Sequence, residues 1–297
     1  MTEKAIQRTS VRQRGLFRPG KARRVLARTA NYVILTVSAL VFMVPLAWLV
    51  STALGTAQDA MRVPHNFLPW PIHLENFPLA FAKAPFNIYI VNTLKVTFFG
   101  VTGTLLSTSL VAFGFARLRF RGRDLLFFIL LSTLMVPRQV LLVPSFIMFK
   151  TFGWYDTHLP LWVPQCFATN AFGVFLLRQF YMSIPLELDE AARLDGASTL
   201  RIWFNLLLPL SKPALTTLGV LTFLFNWNNF ILPLIYTRSP DNQTFALALA
   251  ALPGQYYSDY HLLMAITLTF MIPCVLLFFF SQRYLLQGLA LTGVGGK

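Results

Sequence analysis

Asn31 to Ala53 reads NYVILTVSALVFMVPLAWLVSTA, an apolar run without one charged residue. As α-helix it would measure about 35 Å at about 1.5 Å per residue. That spans the roughly 30 Å hydrocarbon core of a bilayer. The run is too long for the core of a secretion signal, and no small-residue cleavage site follows it. Five further stretches have the same character: 89–113, 125–149, 159–181, 213–236 and 261–283. Backbone facing lipid must satisfy its own hydrogen bonds, so these stretches are helices. The expected fold class is all-α, a polytopic membrane protein with about six transmembrane helices. Composition agrees: 56% of the 297 residues are hydrophobic and 12% are charged, against about 25% charged in soluble domains. The excess apolar content is surface for membrane lipid, not a larger core.

The formal net charge of +14 raises the question of nucleic acid. The basic residues border apolar runs, so they read as topology signals and no nucleic-acid partner is expected. Lys4, Arg8, Arg12, Arg14, Arg18, Lys21, Arg23, Arg24 and Arg28 precede the first run. With that end inside, 19 of the 25 Lys and Arg residues fall in cytoplasmic segments and 4 in outside segments. Both termini are therefore expected in the cytoplasm. The organisation reads as a basic tail over 1–30, a six-span body over 31–288 and a short tail over 289–297. The outside loop at 54–88 is rich in Pro and aromatic residues. It suits a receptor-docking surface or a rigid cap, and both readings stand.

The longest inside connection, 182–212, joins spans four and five. Ile184 to Leu215 reads IPLELDEAARLDGASTLRIWFNLLLPLSKPAL. Pro185 suits a first helical turn. Glu187, Asp189 and Glu190 place negative charge at the positive helix end. Gly196 suits the helix exit, and Ser198 can cap a second short helix that Pro209 ends. The residues predict a helix–turn–helix beside the membrane with small residues at its bend. On local chemistry it reads equally as an interfacial joint or as a seat for a partner surface.

Glu190-Ala191-Ala192, two residues, then Asp195-Gly196-Ala197 resembles the "EAA" loop of permease subunits of bacterial ATP-binding-cassette importers. The family pattern continues here with Leu206, Leu208-Pro209 and Pro213. Asn92-Thr93-Leu94, Met135-Val136-Pro137, Trp227-Asn228, Gln282-Arg283-Tyr284 and Gln287-Gly288 are similar to the carbohydrate branch, the smaller maltose-type permease subunit. The resemblance covers about 30–297. It implies a pore-forming subunit in the bacterial inner membrane that imports sugars or oligosaccharides by alternating access. Implied partners are two ATPase subunits, a second and different permease subunit, and an extracytoplasmic solute-binding protein. ATP and Mg would be bound by the ATPase subunits, with no cofactor in this chain and no enzymatic activity of its own. Glu190, Ala191, Ala192, Asp195 and Gly196 would form a coupling helix seated on the ATPase. Gln287 and Gly288 would bring the C-terminal tail to the ATPase pair.

Polar residues inside apolar runs are the remaining candidates. An Arg at mid-membrane costs about 2.5–3.5 kcal/mol on insertion scales, so it faces protein or water. Arg138 and Gln139, next to Pro137, read as lining the translocation cavity or as a structural tie to helix carbonyls or the sister subunit. Asn226, Trp227 and Asn228 suit sugar hydroxyls and ring faces, and suit interhelical hydrogen bonds equally. Other motifs fail. Gly293 to Lys297 lacks the first glycine of a phosphate loop, since residue 291 is Leu, and no Ser or Thr follows the Lys. His65, His73, His158 and His261 have no metal spacing. Cys166 and Cys274 lie in apolar runs and predict packing. An ion-coupled transporter would carry acidic groups mid-span, and none of the 11 Asp and Glu is clearly there.

Overall fold

The computed structural model describes residues 21–252 and 259–293, with side chains over 28–252 and 259–284. Most of the basic tail, and the side chains of Gln287 and Gly288, lie outside these. Every regular element among the described residues is helical. The longer helices are α1 (Lys21–Leu54), α2 (Phe86–Arg117), α3 (Arg123–Ser132), α4 (Leu142–Thr151), α5 (Ala171–Ser183), α6 (Glu187–Leu194), α7 (Lys212–Trp227), α8 (Phe245–Ala251) and α9 (Tyr260–Gly293). The chain divides into two units, Met1–Leu49 and Val50–Lys297. In the first, α1 is helical from Lys21, ten residues before the expected span. Its apolar side chains are exposed, Phe42 at 82%. A surface of that kind belongs in lipid.

In the second unit, α2 packs against α5 and α7, and α7 packs against α9. α2 is about 48 Å long by helix rise, longer than a hydrocarbon core, so one end projects beyond it. Close packing follows from small residues along one face. A Cβ on Gly103 would stand 2.5 Å from Cys166 Sγ, and one on Gly100 would stand 2.8 Å from Asn226 Nδ2. Thr104, Thr108 and Ser109 are buried on the same helix, as is usual where helices meet in membranes. The Asn92-Thr93 pair staples the other end of α2. Asn92 Nδ2 donates to the carbonyls of Asp241 and Gln243 at 2.7 and 2.9 Å, and Thr93 Oγ1 accepts from Phe245 N at 2.7 Å.

Among the described residues, four helices are long and apolar enough to cross a membrane. There are up to six spans if two bent pairs each count as one. The sequence predicts six stretches, with backbone hydrogen bonding disrupted near Pro137 and Pro144 in span three, and three of the six are interrupted. Span three bends by 93° between Met135 and Arg138, because Pro137 has no N–H to continue the helix. Pro144 causes no break. It lies in the first turn of α4, where the backbone N–H would be orphaned anyway. In span four, α-helix gives way to a 3-10 turn at Val163–Phe167, and Ala168 adopts a left-handed conformation at φ 52°. Asn170 restarts the helix as N-cap, accepting from Gly173 N at 2.9 Å. The expected span five, 213–236, ends as helix at Trp227. A short helix, Ile231–Tyr236, follows, with Asn229 Oδ1 accepting from Leu232 N at 3.2 Å. In all three places a Pro or Asn offers the backbone another partner or removes one.

Candidate functional site

The 184–215 loop folds as two helices around a tight turn. α6 exits through paired bonds: Gly196 N to Arg193 O at 3.0 Å and Ala197 N to Ala192 O at 2.9 Å. This Schellman arrangement requires a left-handed residue, and Gly196 has φ 78°. Ser198 Oγ then accepts from Arg201 N at 3.3 Å and starts the second helix. That helix runs on to Leu210, one residue past Pro209. A π turn at Trp203–Leu207 widens the helix just before Pro209, with Leu208 N bonding to Trp203 O. The widened turn relieves the clash of the proline ring with the preceding turn. The real break is at Ser211, where the chain bends by 80° into α7.

α6 is two-faced. Asp189 is buried and Ala192 packs on the core beside Tyr181 and Leu207, whereas Glu187, Glu190, Ala191, Asp195 and Gly196 are exposed. Leu194 is 91% exposed at the helix end. Leu194 is an apolar knob that the sequence reading missed; its place four residues after Glu190 puts both on one face. A second missed feature holds α6 down. Arg117 Nε, at the end of α2, lies 2.9 Å from Asp189 Oδ2, with the two side chains 3% and 7% exposed. Arg117 Nη2 also donates to Ile184 O at 2.9 Å. Burial pushes the Asp189 carboxyl above the usual carboxylate range, against the pull of Arg117 and Arg193. Sequence reading takes Arg117 as a topology signal and Asp189 as a helix-dipole charge. Only tertiary structure brings them together.

A cavity of about 390 Å³ lies between the broken spans, lined by Thr104, Arg138, Gln165, Asn170, Thr222 and Phe225 among others. Arg138 stands at the bend of span three, its guanidinium 4.9 Å from the centre of the Phe225 ring. Gln139 is exposed and does not line this cavity. Asn226 lies just behind the wall in a reciprocal amide pair. Gln165 Nε2 donates to Asn226 Oδ1 at 2.7 Å, and Asn226 Nδ2 donates to Gln165 Oε1 at 3.0 Å. Trp227 departs from the sugar-facing expectation. It is 1% exposed, stacked on Phe223 and Phe270, and donates Nε1 to Phe270 O at 3.0 Å. Asn228 is exposed, off this cavity, and bonds Leu224 O at 2.9 Å. Gln165 is the wall residue that sequence reading missed. It sits in an apolar run one residue after Pro164, and that pairing marks a helix with a broken backbone.

Residues 103–290 match the family described as binding-protein-dependent transport system inner membrane component. The lactose transport system permease protein LacG of Rhizobium radiobacter is 30% identical over 267 residues, 90% of this chain and 96% of its own. The arabinooligosaccharides transport system permease protein AraQ of Halalkalibacterium halodurans is 33% identical over 255 residues, 85% and 91% of the two chains. A solved bacterial ABC transporter involved in the import of the acidic polysaccharide alginate shares the fold, with TM-score 0.78 over 90% of this chain and 98% of its own at 24% identity. With a loop turned at Gly196, broken spans around a cavity, and matches over most of its length, the chain belongs to the inner membrane component family of binding-protein-dependent transport systems.

Proposed function

We propose that this chain is one pore-forming half of an ATP-driven importer of sugars or oligosaccharides in a bacterial inner membrane. Family membership and the sugar-transport relatives support the cargo class. The observation that carries the mechanism is the 184–215 loop. It offers an exposed face of Glu190, Ala191, Leu194 and Gly196, and it is locked to α2 by a buried ion pair. In this reading the loop faces the cytoplasm and seats in a cleft of a separate ATPase subunit. Glu190 makes a polar contact there, Leu194 fills an apolar hollow and Gly196 allows close backbone approach. Two ATPase subunits bind ATP and Mg, close, and draw two such loops together. Motion enters α2 through Arg117 and Asp189 and reaches the broken spans through the close-packed Gly100 and Gly103 face. A second, different permease subunit completes the pore, and an extracytoplasmic binding protein delivers the solute. Both termini lie in the cytoplasm, where the tail at Gln287 and Gly288 meets the ATPase pair.

Purification from native membranes, followed by an ATPase assay with candidate binding proteins and sugars, tests the reading. A stable complex containing an ATPase subunit, stimulated by loaded binding protein and uncoupled by Glu190→Lys, is expected. Purification with no ATPase partner, and transport that follows an ion gradient, would refute it.

A further inference from the structure

The cavity wall has a marked chemical bias in the groups it leaves free. Gln165 is fully engaged. Its amide N–H groups go to Leu161 O and Asn226 Oδ1, both at 2.7 Å, and its oxygen accepts from Asn226 and from Thr104 Oγ1. Thr169 Oγ1 is bonded to Pro164 O. The Asn170 side-chain oxygen caps α5, and its NH2 group has no partner among the described residues. Thr222, 5% exposed, has a buried hydroxyl with no hydrogen-bond partner. Arg138 forms no ion pair among the described residues. What remains open to the cavity is a cation and an amide donor, since the Thr222 oxygen is enclosed by protein.

A guanidinium at membrane depth is costly unless an anion or water meets it. Phe225 holds the Arg138 guanidinium against its ring face. Stacking of this kind leaves the N–H edge free, and that edge matches a carboxylate bidentately. Phe172, exposed on the same wall, offers a ring face to the C–H side of a sugar. About 390 Å³ falls within the size of small-ligand sites, about 300–1,000 Å³.

We infer that this cavity is a transient subsite for an acidic saccharide, with Arg138 meeting the carboxylate of a uronic acid residue and the Asn170 amide meeting a further oxygen. The inference rests on the importer reading and specifies its cargo. A neutral sugar would leave Arg138 without an anion, so the site discriminates by charge.

The test uses the full complex in proteoliposomes, with ATP inside and binding protein outside. The probes are uronic acid oligosaccharides and their carboxyl-reduced, neutral counterparts. The wild type is expected to take up the acidic series in preference. Arg138→Gln is expected to raise the KM for that series by at least about tenfold, the scale of one lost charge-assisted contact. Arg138→Lys keeps the charge without the fork and should fall between the two. Uptake of neutral saccharides only, or an unchanged KM in Arg138→Gln, overturns the inference while leaving the importer reading intact. Loss of the partner permease on purification of both Arg138 variants also overturns it, because Arg138 would then be a subunit tie. Absence of ATP-driven uptake of any saccharide by the wild type counts against the importer reading itself.

Discussion

In the 184–215 loop, Arg117 and Asp189 are buried against each other and the helix ends are capped by their own chain. At the cavity, Arg138 lies over the ring of Phe225 and forms no ion pair among the described residues. Both regions place an arginine beside a helix break. One sets its arginine against a buried carboxylate of the same chain, and the other leaves its arginine without a carboxylate among the described residues. A buried ion pair makes a stiff element that can carry force, because moving either charge alone would strand the other. An arginine without a carboxylate makes a surface that a passing solute can complete. The contrast separates a lever from a binding wall inside one helical bundle.

The largest effect is expected at the buried ion pair. Arg117→Ala strands the Asp189 carboxylate and should lower stability by about 3–5 kcal/mol, read as a lower melting temperature of the purified complex. The pair Arg117→Met with Asp189→Leu should recover most of it, because an apolar pair of similar volume is tolerated there. If the single variant melts like wild type, the loop is not held by this pair. Gly100→Val probes the link between the regions. Its first side-chain atom would stand 2.8 Å from Asn226 Nδ2 and 3.0 Å from Gln165, so the amide pair must shift. Overpacking of this kind costs about 1–3 kcal/mol, and uptake should fall further than stability. A variant with normal uptake would show that the amide pair does not shape the pore.

The two regions also differ in how far the sequence discloses them. The exit of α6 at Gly196 and the Ser198 cap follow from residues within five positions of each other, so local chemistry finds them. Pro137 likewise announces the bend in span three. The Arg117–Asp189 pair joins residues 72 positions apart, and the Gln165–Asn226 pair joins residues 61 apart. No periodicity or composition brings such residues together. Trp227 shows the reverse difficulty. Beside three asparagines it reads equally as a sugar platform or as an interhelical hydrogen-bond donor, and its indole N–H takes the second role, bonding a carbonyl on α9. Leu194 is hidden in a helix of ordinary amphipathic look until its exposure is seen.

Smaller effects sharpen the same contrast. Gly196→Ala meets nothing within 4 Å, so only the left-handed backbone opposes it. The expected loss is about 1 kcal/mol, measurable as a shift in melting temperature. Gly196→Asn should lose less, because Asn tolerates that conformation.

The smallest effect is a pH dependence at the far end of the bundle. The Ser239 hydroxyl and the backbone N–H groups of Arg238 and Ser239 hold the Asp156 carboxyl far below the usual range. A depressed pKa adds stability that is present above the unfolded value of about 3.9 and lost as pH falls through the folded one. Asp156 adopts a left-handed conformation at φ 59°, which Asn also tolerates, so Asp156→Asn keeps the backbone and removes that window. Its melting temperature should therefore change less with acid below about pH 4 than that of the wild type. Equal acid sensitivity in the two proteins would mean that Asp156 adds no such window.

Site-directed cross-linking tests the central assignment most directly. Single cysteines at Leu194 and at Ser239, placed in a chain with Cys166 and Cys274 replaced by serine, would be exposed to a short bifunctional thiol reagent in the assembled complex. A product joining residue 194 to an ATPase subunit is expected, with a yield that changes on adding ATP, and no such product from residue 239. A product from residue 239, or none from residue 194 in a complex that still transports, would contradict the assignment.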